Sequence, residues 1–339
     1  MSLRAALLDQ SESCRQLGSP FTARLLTLTA ERLTDETPVG RRLLAWEGNV
    51  TSRGQSVPLR LAGALHRLVL SGDDLALHWP PNPITDDDTL WQAVEGAFQR
   101  RGDAILAALD TAPQTNEVRR AAALIPALHM LAARYGLPLA LYELGASAGL
   151  NLHLDRFSLQ AGPVRFGPDT PALTLEPDWT GPAPQPAAVK IVARRGVDLA
   201  PVDPRNPGDR LRLLSFLWAD QPERRDRTLA AIAVADTAVE AGDAGAWLAP
   251  ALADAPEGAL PVVYHTVAWQ YFPDTSKAAA LAAMEQAGRP LARISMEADG
   301  TARNAALTLS IWPDGTTHPL ARVDFHGRWI DWTGPTALP

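Results

Sequence analysis

Over the first 135 residues the apolar positions recur at spacings of three and four, the period of a helix that buries one face. Ser19-Pro20 reads as an N-cap followed by proline at the first helical position, opening a helix over Phe21–Leu33. The same period predicts helices over Pro58–Leu70, over Thr89–Leu109 behind the Asp86-Asp87-Asp88 run, and over Glu117–Arg134. Thr115 or Asn116 caps the last of these, and Gly136-Leu137-Pro138 ends it. After Leu139 short apolar runs alternate with helical stretches. Strands are expected at Leu139–Leu144, within Val189–Leu199, at Thr237–Asp243, Leu260–Thr266 and Leu291–Glu297, with helices over Arg210–Val234 and Lys277–Ala287. Leu307–Trp312 and Ala321–Trp332 read as a hairpin across Pro313-Asp314-Gly315 and Thr316–Pro319. A proline-rich insert, residues 157–188, separates the first two strands; Val164–Phe166 and Leu173–Leu175 inside it form a small β-hairpin. This alternation predicts an α/β fold: a doubly wound, mostly parallel sheet with a C-terminal antiparallel hairpin, preceded by a helical N-terminal region. The expected domains are residues 1–135 and 136–339.

Composition narrows the chemistry. A chain of 339 residues exceeds the usual single core, which supports two domains. A formal charge of −7 argues against nucleic acid as a partner, because phosphate binding needs a basic face. With only Lys190 and Lys277, and no Gly-x-x-x-x-Gly-Lys stretch, a P-loop is not expected and Schiff-base chemistry has few candidates. One cysteine, Cys14, excludes an intrachain disulfide and a multi-thiolate zinc site. No His-x-x-x-His or His-Glu-x-x-His pair occurs, so no metal is expected. The N-terminus has no signal-peptide core, and the longest apolar stretch, around Ala121–Ala133, contains His129 and is too short to span a bilayer. The expectation is a cytoplasmic protein whose partner is a small molecule rather than a membrane or nucleic acid.

The densest chemistry lies at Tyr142-Glu143-Leu144-Gly145-Ala146-Ser147-Ala148-Gly149-Leu150. An apolar run ends in an acid, and small residues follow at alternate positions, as in a buried strand turning tightly so that backbone can approach a ligand. Gly145-Ala-Ser147-Ala-Gly149 fits the Gly-x-Ser-x-Gly elbow of α/β-hydrolases, with Ser147 as nucleophile and Asp243, His265 and His326 as later acids and bases. That elbow follows several strands, whereas the residues before this one read as helical. A dinucleotide fingerprint would need a third glycine where Leu150 stands. The string also resembles the first motif of S-adenosylmethionine-dependent methyltransferases. That resemblance implies that Glu143, Gly145, Ser147 and Gly149 hold the amino-acid end of the cofactor. Asp198, in Gly-Val-Asp-Leu, would bind the ribose hydroxyls, and Asp243 would meet the adenine. Tyr264-His265-Thr266 ends the fourth strand over the transferring methyl. Tyr264 is then a substrate-binding candidate and His265 a general base or acceptor-orienting group. Asn116 and Arg328 are the further polar residues expected to approach the cleft. A cofactor-binding protein without methyl transfer, and a serine hydrolase built on Ser147, stay open as alternatives.

At the scale of the chain, Pro113-Gln114-Thr115-Asn116-Glu117-Val118, Glu143–Leu152, Arg194-Arg195-Gly196-Val197-Asp198-Leu199, Trp218-Ala219-Asp220-Gln221 and His326-Gly327-Arg328-Trp329 carry a second resemblance. The chain is similar to the uncharacterised bacterial proteins grouped as domain of unknown function 2332. This implies a methyltransferase-like Rossmann domain behind a helical region; no activity is carried over with the resemblance. Ser147 stands where the usual methyltransferase turn has its middle glycine. The insert reads either as a lid over the cleft or as a surface ornament. His66, His129 and His153 read as packed or capping residues.

Overall fold

A computed structural model describes residues 1–84 and 86–338 and divides the chain into two compact units. One comprises residues 1–115 with 206–226; the other comprises 116–205 with 227–339.

The first unit is helical. Helices at Leu3–Gln16, Pro20–Arg32, Pro38–Leu44, Val57–Leu70, Asp87–Arg100, Gly102–Leu109 and Pro207–Ser215 enclose a core that includes Leu25, Leu61, Leu65, Val94, Phe98 and Ile105. Gly63 leaves room for the Phe216 ring, which would stand 2.6 Å from a Cβ placed there. The Trp218-Ala219-Asp220-Gln221 motif clamps the start of the Pro20–Arg32 helix. Asp220 accepts from the Ser19 hydroxyl and the Phe21 N–H, while Gln221 donates to the Leu17 and Gly18 carbonyls.

In the second unit the strands are β1 (Leu139–Leu144), β2 (Phe157–Ala161), β3 (Val164–Phe166), β4 (Leu173–Leu175), β5 (Asp178–Thr180), β6 (Ile191–Asp198), β7 (Glu240–Ala241), β8 (Leu260–Thr266), β9 (Leu291–Ala298), β10 (Ala305–Trp312), β11 (Thr316–Val323) and β12 (Trp329–Trp332). Among the described residues, nine of them form one sheet in the order β5-β12-β11-β10-β9-β8-β1-β6-β7. The five from β9 to β7 are mutually parallel. Their succession is the doubly wound order that starts in the middle and reverses direction between β1 and β8. Both central strands are buried along their whole length, which is why they read as continuous apolar runs. On one face Ala140, Tyr142, Leu144 and Val263 pack with Leu248, Leu252, Ala280 and Met284 of the helices Ala244–Ala253 and Asp274–Glu285. Alternation sends Glu143 to the other face.

Several sequence expectations are corrected. The predicted Arg210–Val234 helix is two helices, Pro207–Ser215 and Pro222–Val234, because Pro222 opens a helix more readily than it continues one. Thr89–Leu109 breaks at Arg101, ahead of Gly102. The third parallel strand shrinks to Glu240–Ala241. The C-terminal hairpin turns at Pro313–Gly315 alone. Thr316–Pro319, expected in the turn, belongs to β11, and Asp324–Arg328 separates β11 from β12. Val164–Phe166 and Leu173–Leu175 do not pair with each other; they flank Phe157–Ala161, antiparallel on one side and parallel on the other. Ala244–Ala253 is a helix that the hydrophobic pattern left unread.

Candidate functional site

Ligands on open α/β sheets bind beyond the carboxyl ends of the strands at the reversal point, here the ends of β1 and β8. Glu143 is the last but one residue of β1. Its register neighbours are Gly196 on β6 and Tyr264 on β8. It is 3% exposed. Burial, and then the charge of Asp198, raises its carboxyl well above the ordinary carboxylate range, against a hydrogen bond from Tyr264 and the charge of Arg120. The fold therefore favours the neutral acid.

The turn that follows has Gly145 and Gly149 at φ +73° and +68°, and Ser147 in the same left-handed region at +54°. It is tied to β6. The Gly145 and Ala146 N–H groups donate to the Val197 carbonyl at 2.9 and 3.0 Å, and Ser147 N–H donates to Asp198 Oδ2 at 2.9 Å. Gly196 permits this approach, since a Cβ there would stand 2.8 Å from that of Ala146. Asp198 Oδ1 accepts from Ala200 N–H at 3.0 Å. The turn does not lead into an α-helix. It enters a seven-residue 3₁₀ helix, Leu150–Arg156, with non-helical backbone at His153. Ala268 and Phe272, from the loop after β8, lie against Gly145.

Asn116 reaches this turn, accepting from Leu150 N–H at 3.0 Å. Tyr264 is buried. Its one hydroxyl proton is within reach of two acceptors, the Asn151 carbonyl at 3.2 Å and the Glu143 carboxyl. Three buried polar atoms here have no hydrogen-bond partner among the described residues: Glu143 Oε2, Ser147 Oγ and Asn151 Oδ1. Buried polar atoms are usually satisfied, so three on one strand end call for an explanation. Because Ser147 Oγ bonds to none of the described residues, no imidazole is in place to take its proton, as a hydrolase nucleophile would need.

His265 is corrected by its surroundings. The ring is wholly buried, with Nδ1 2.7 Å from Glu297 Oε1 and Nε2 accepting from Arg293 Nε and Nη2 at 3.0 and 2.9 Å. An arginine donates only, so this network places the ring proton on Nδ1 and leaves neither nitrogen for an acceptor. Burial lowers its pKa, against the bond to Glu297. The ring stacks on Trp269 at 4.8 Å, and Arg293 lies 4.3 Å above the same indole. Glu297 Oε1 also accepts from the Ala268 and Trp269 N–H groups at 3.0 and 3.1 Å. His265 thus secures the loop that covers Gly145 and is not a general base in this arrangement.

Asp243 is a neighbour of this region through the bond from Gly242 N–H to the Asp198 carbonyl. Its carboxylate, however, caps the Ala244–Ala253 helix and accepts from the Ser276 hydroxyl, which together lower its pKa. Arg328 forms a two-pronged pair with Asp324, at 2.9 and 2.8 Å, inside the turn between β11 and β12. Arg120 connects that turn to the site by donating to the carbonyls of Phe325 and Thr266 at 2.8 and 3.0 Å. The sequence reading missed Asn151, Arg293 and Glu297. Only Asn151 left a signal, as the first polar residue in the otherwise apolar Leu-Asn-Leu-His-Leu run.

A family profile described as "Uncharacterized protein conserved in bacteria (DUF2332)" matches residues 4–332, and the chain belongs to that family. No curated protein and no solved structure matches the chain.

Proposed function

We propose that this member of the DUF2332 family binds S-adenosylmethionine at the carboxyl ends of β1 and β8 and passes its methyl group to a small polar acceptor. The observation that carries the reading is the set of unpartnered buried atoms, Glu143 Oε2, Ser147 Oγ and Asn151 Oδ1, at the reversal point of a parallel sheet. These residues suit the amino-acid end of the cofactor. A buried carboxyl held neutral by its surroundings ionises when an ammonium group arrives beside it. Asp198 is the acid for the ribose hydroxyls; its two oxygens now hold the Ser147 and Ala200 amides, so it would exchange those bonds. Asp243, occupied as a helix cap, suits the adenine side less well. When bound, the cofactor supplies an electrophilic methyl on a sulfonium. The chain contributes orientation and exclusion of water, with no residue assigned as base.

A second reading, binding without methyl transfer, is favoured by one observation: both His265 nitrogens are engaged within the protein. Calorimetric titration in two buffers of different ionisation heat tests the binding shared by both. S-adenosylmethionine and its demethylated product should each bind with release of a proton, and adenosine without it. Glu143→Gln should abolish the release and weaken the first two ligands about 10- to 100-fold, the worth of a hydrogen bond to a charged group. Absence of heat and of thermal shift with either S-adenosyl ligand overturns the proposal. Binding without turnover of any acceptor selects the second reading.

A further inference from the structure

A second place in the sheet unit presents hydrogen-bonding groups that none of the described residues uses. The proline-rich insert folds back against the helix Ala121–Tyr135 and forms one side of a partly open cavity of about 260 Å³. Its walls include Leu128 from that helix, Leu154 from the 3₁₀ helix and Phe157 from β2. Two polar side chains, His129 and Asp155, line it as well.

The state of each is fixed by its partners. His129 is 8% exposed, and its Nδ1 accepts from Ala187 N–H at 2.9 Å. A backbone N–H can only donate, so the ring proton sits on Nε2, and that N–H makes no bond among the described residues. Burial lowers the ring's pKa, which keeps it neutral. Asp155 Oδ2 accepts from the Arg194 guanidinium, while Oδ1 is buried without a hydrogen-bond partner among the described residues. Two residues that line one cavity therefore keep an unused donor and an unused acceptor. The Arg194 cation already balances the Asp155 charge, and the remaining walls are largely apolar, so a second ion would lose its hydration for little return.

We propose that this cavity binds a small uncharged molecule carrying an N–H or O–H donor beside a carbonyl or ring-nitrogen acceptor on an apolar body, that is, a carboxamide or an amino-heterocycle. The acceptor meets His129 Nε2–H, and the donor meets Asp155 Oδ1. The site is separate from the strand-end turn and does not depend on how that turn is read. It gives the insert a role as the wall of a pocket, in place of either a lid or an ornament.

Benzamide is a suitable probe, with toluene as its apolar counterpart and benzoate as its charged one. Full-length protein labelled with ¹⁵N at histidine is titrated with each, and the His129 ring resonances are followed. Benzamide should shift the Nε2–H resonance in a saturable way. Toluene and benzoate should bind about tenfold more weakly or worse, the worth of the lost or mismatched hydrogen bonds. Asp155→Asn should weaken benzamide about tenfold, and Leu128→Trp, which fills the cavity, should abolish its binding. If Leu128→Trp does not fold, the comparison of benzamide with toluene on the native protein decides. The proposal is overturned if benzamide at millimolar concentration leaves His129 unmoved, which means water alone fills the cavity. Equal binding of toluene, or unchanged affinity in the folded Leu128→Trp variant, overturns it too.

Discussion

The ends of β1 and β8 lie side by side in the sheet, and both carry buried ionisable groups, yet they are built on opposite principles. At the end of β8 the histidine ring and the covering loop are bonded, and one buried side-chain atom, Glu297 Oε2, has no partner among the described residues. His265 uses both nitrogens, and Glu297 Oε1 accepts from the ring and from two backbone amides. At the end of β1 the backbone is satisfied, but three side-chain atoms are not. A network with most of its groups bonded rigidifies a loop; one with several orphaned atoms costs free energy that a binding partner recovers. A titratable residue at a strand end is no functional candidate until its partners are counted. That count moves weight from His265, which looked like the chemical residue, to Glu143 and Asn151.

The largest expected effect comes from breaking the more fully bonded side. Glu297→Ala removes the acceptor of the His265 ring and of two amides, and takes a nearby negative charge from the half-buried Arg293. Each buried donor left without its acceptor typically costs about 1–3 kcal/mol. Urea unfolding should show a loss of that size. A loss below about 1 kcal/mol, the level of an exposed pair, refutes the view of this cluster as a rigid network.

Glu143→Gln, on the incomplete side, should act the other way round. A neutral acid replaced by a neutral amide of the same shape leaves the unliganded fold nearly as stable, while the affinity for a ligand bearing an ammonium group falls. Equal losses of stability and affinity would put Glu143 among the structural groups, with His265.

The two ends should also respond oppositely to pH. The Glu143 pKa is raised above its ordinary 4.5, so the folded state binds more protons than the unfolded chain. Its contribution is full below 4.5 and is lost as pH rises through the folded value. The His265 pKa is lowered from 6.5, so its contribution is present above 6.5 and is lost as pH falls through the folded value. Glu143→Gln should therefore gain stability relative to the native protein as pH rises from below 4.5 to neutrality. Thermal unfolding of both proteins across that range checks it, and a constant difference sinks the assignment of a raised pKa.

What the sequence made legible followed from local pattern. The central strands, Leu139–Leu144 and Leu260–Thr266, are buried on both faces and have the boundaries that their apolar runs marked. Glu143 and the turn stood out because an acid ending such a run is rare, and small residues at alternate positions mark a sharp change of direction. The rest depended on contacts between distant residues. Nothing near residue 265 says that Glu297 and Arg293 will close on the ring, for both come from the next strand. Nothing near 218 says that Asp220 will cap a helix two hundred residues earlier. Nor does local pattern tell a hairpin within the insert from two strands that share Phe157–Ala161 as a common neighbour.

The smallest expected effect is at Ser147, and it probes the turn itself. The residue holds a left-handed backbone at φ +54°, which an L side chain adopts at a cost and glycine adopts freely. Its N–H holds Asp198, and Ser147→Gly keeps that bond, since it belongs to the backbone. The substitution removes strain together with an unpartnered hydroxyl, and it adds freedom to the unfolded chain. These opposing terms should leave stability within about 1 kcal/mol of the native protein. S-adenosyl ligands should bind within a few fold of their native affinity, because the turn would work through its backbone. Fluorophosphonate should label neither protein at this position, since no imidazole bonds to Ser147 Oγ. Labelling of Ser147 in the native chain, with loss of an esterase activity in Ser147→Gly, would make the turn a nucleophile elbow and assign the orphaned hydroxyl to catalysis.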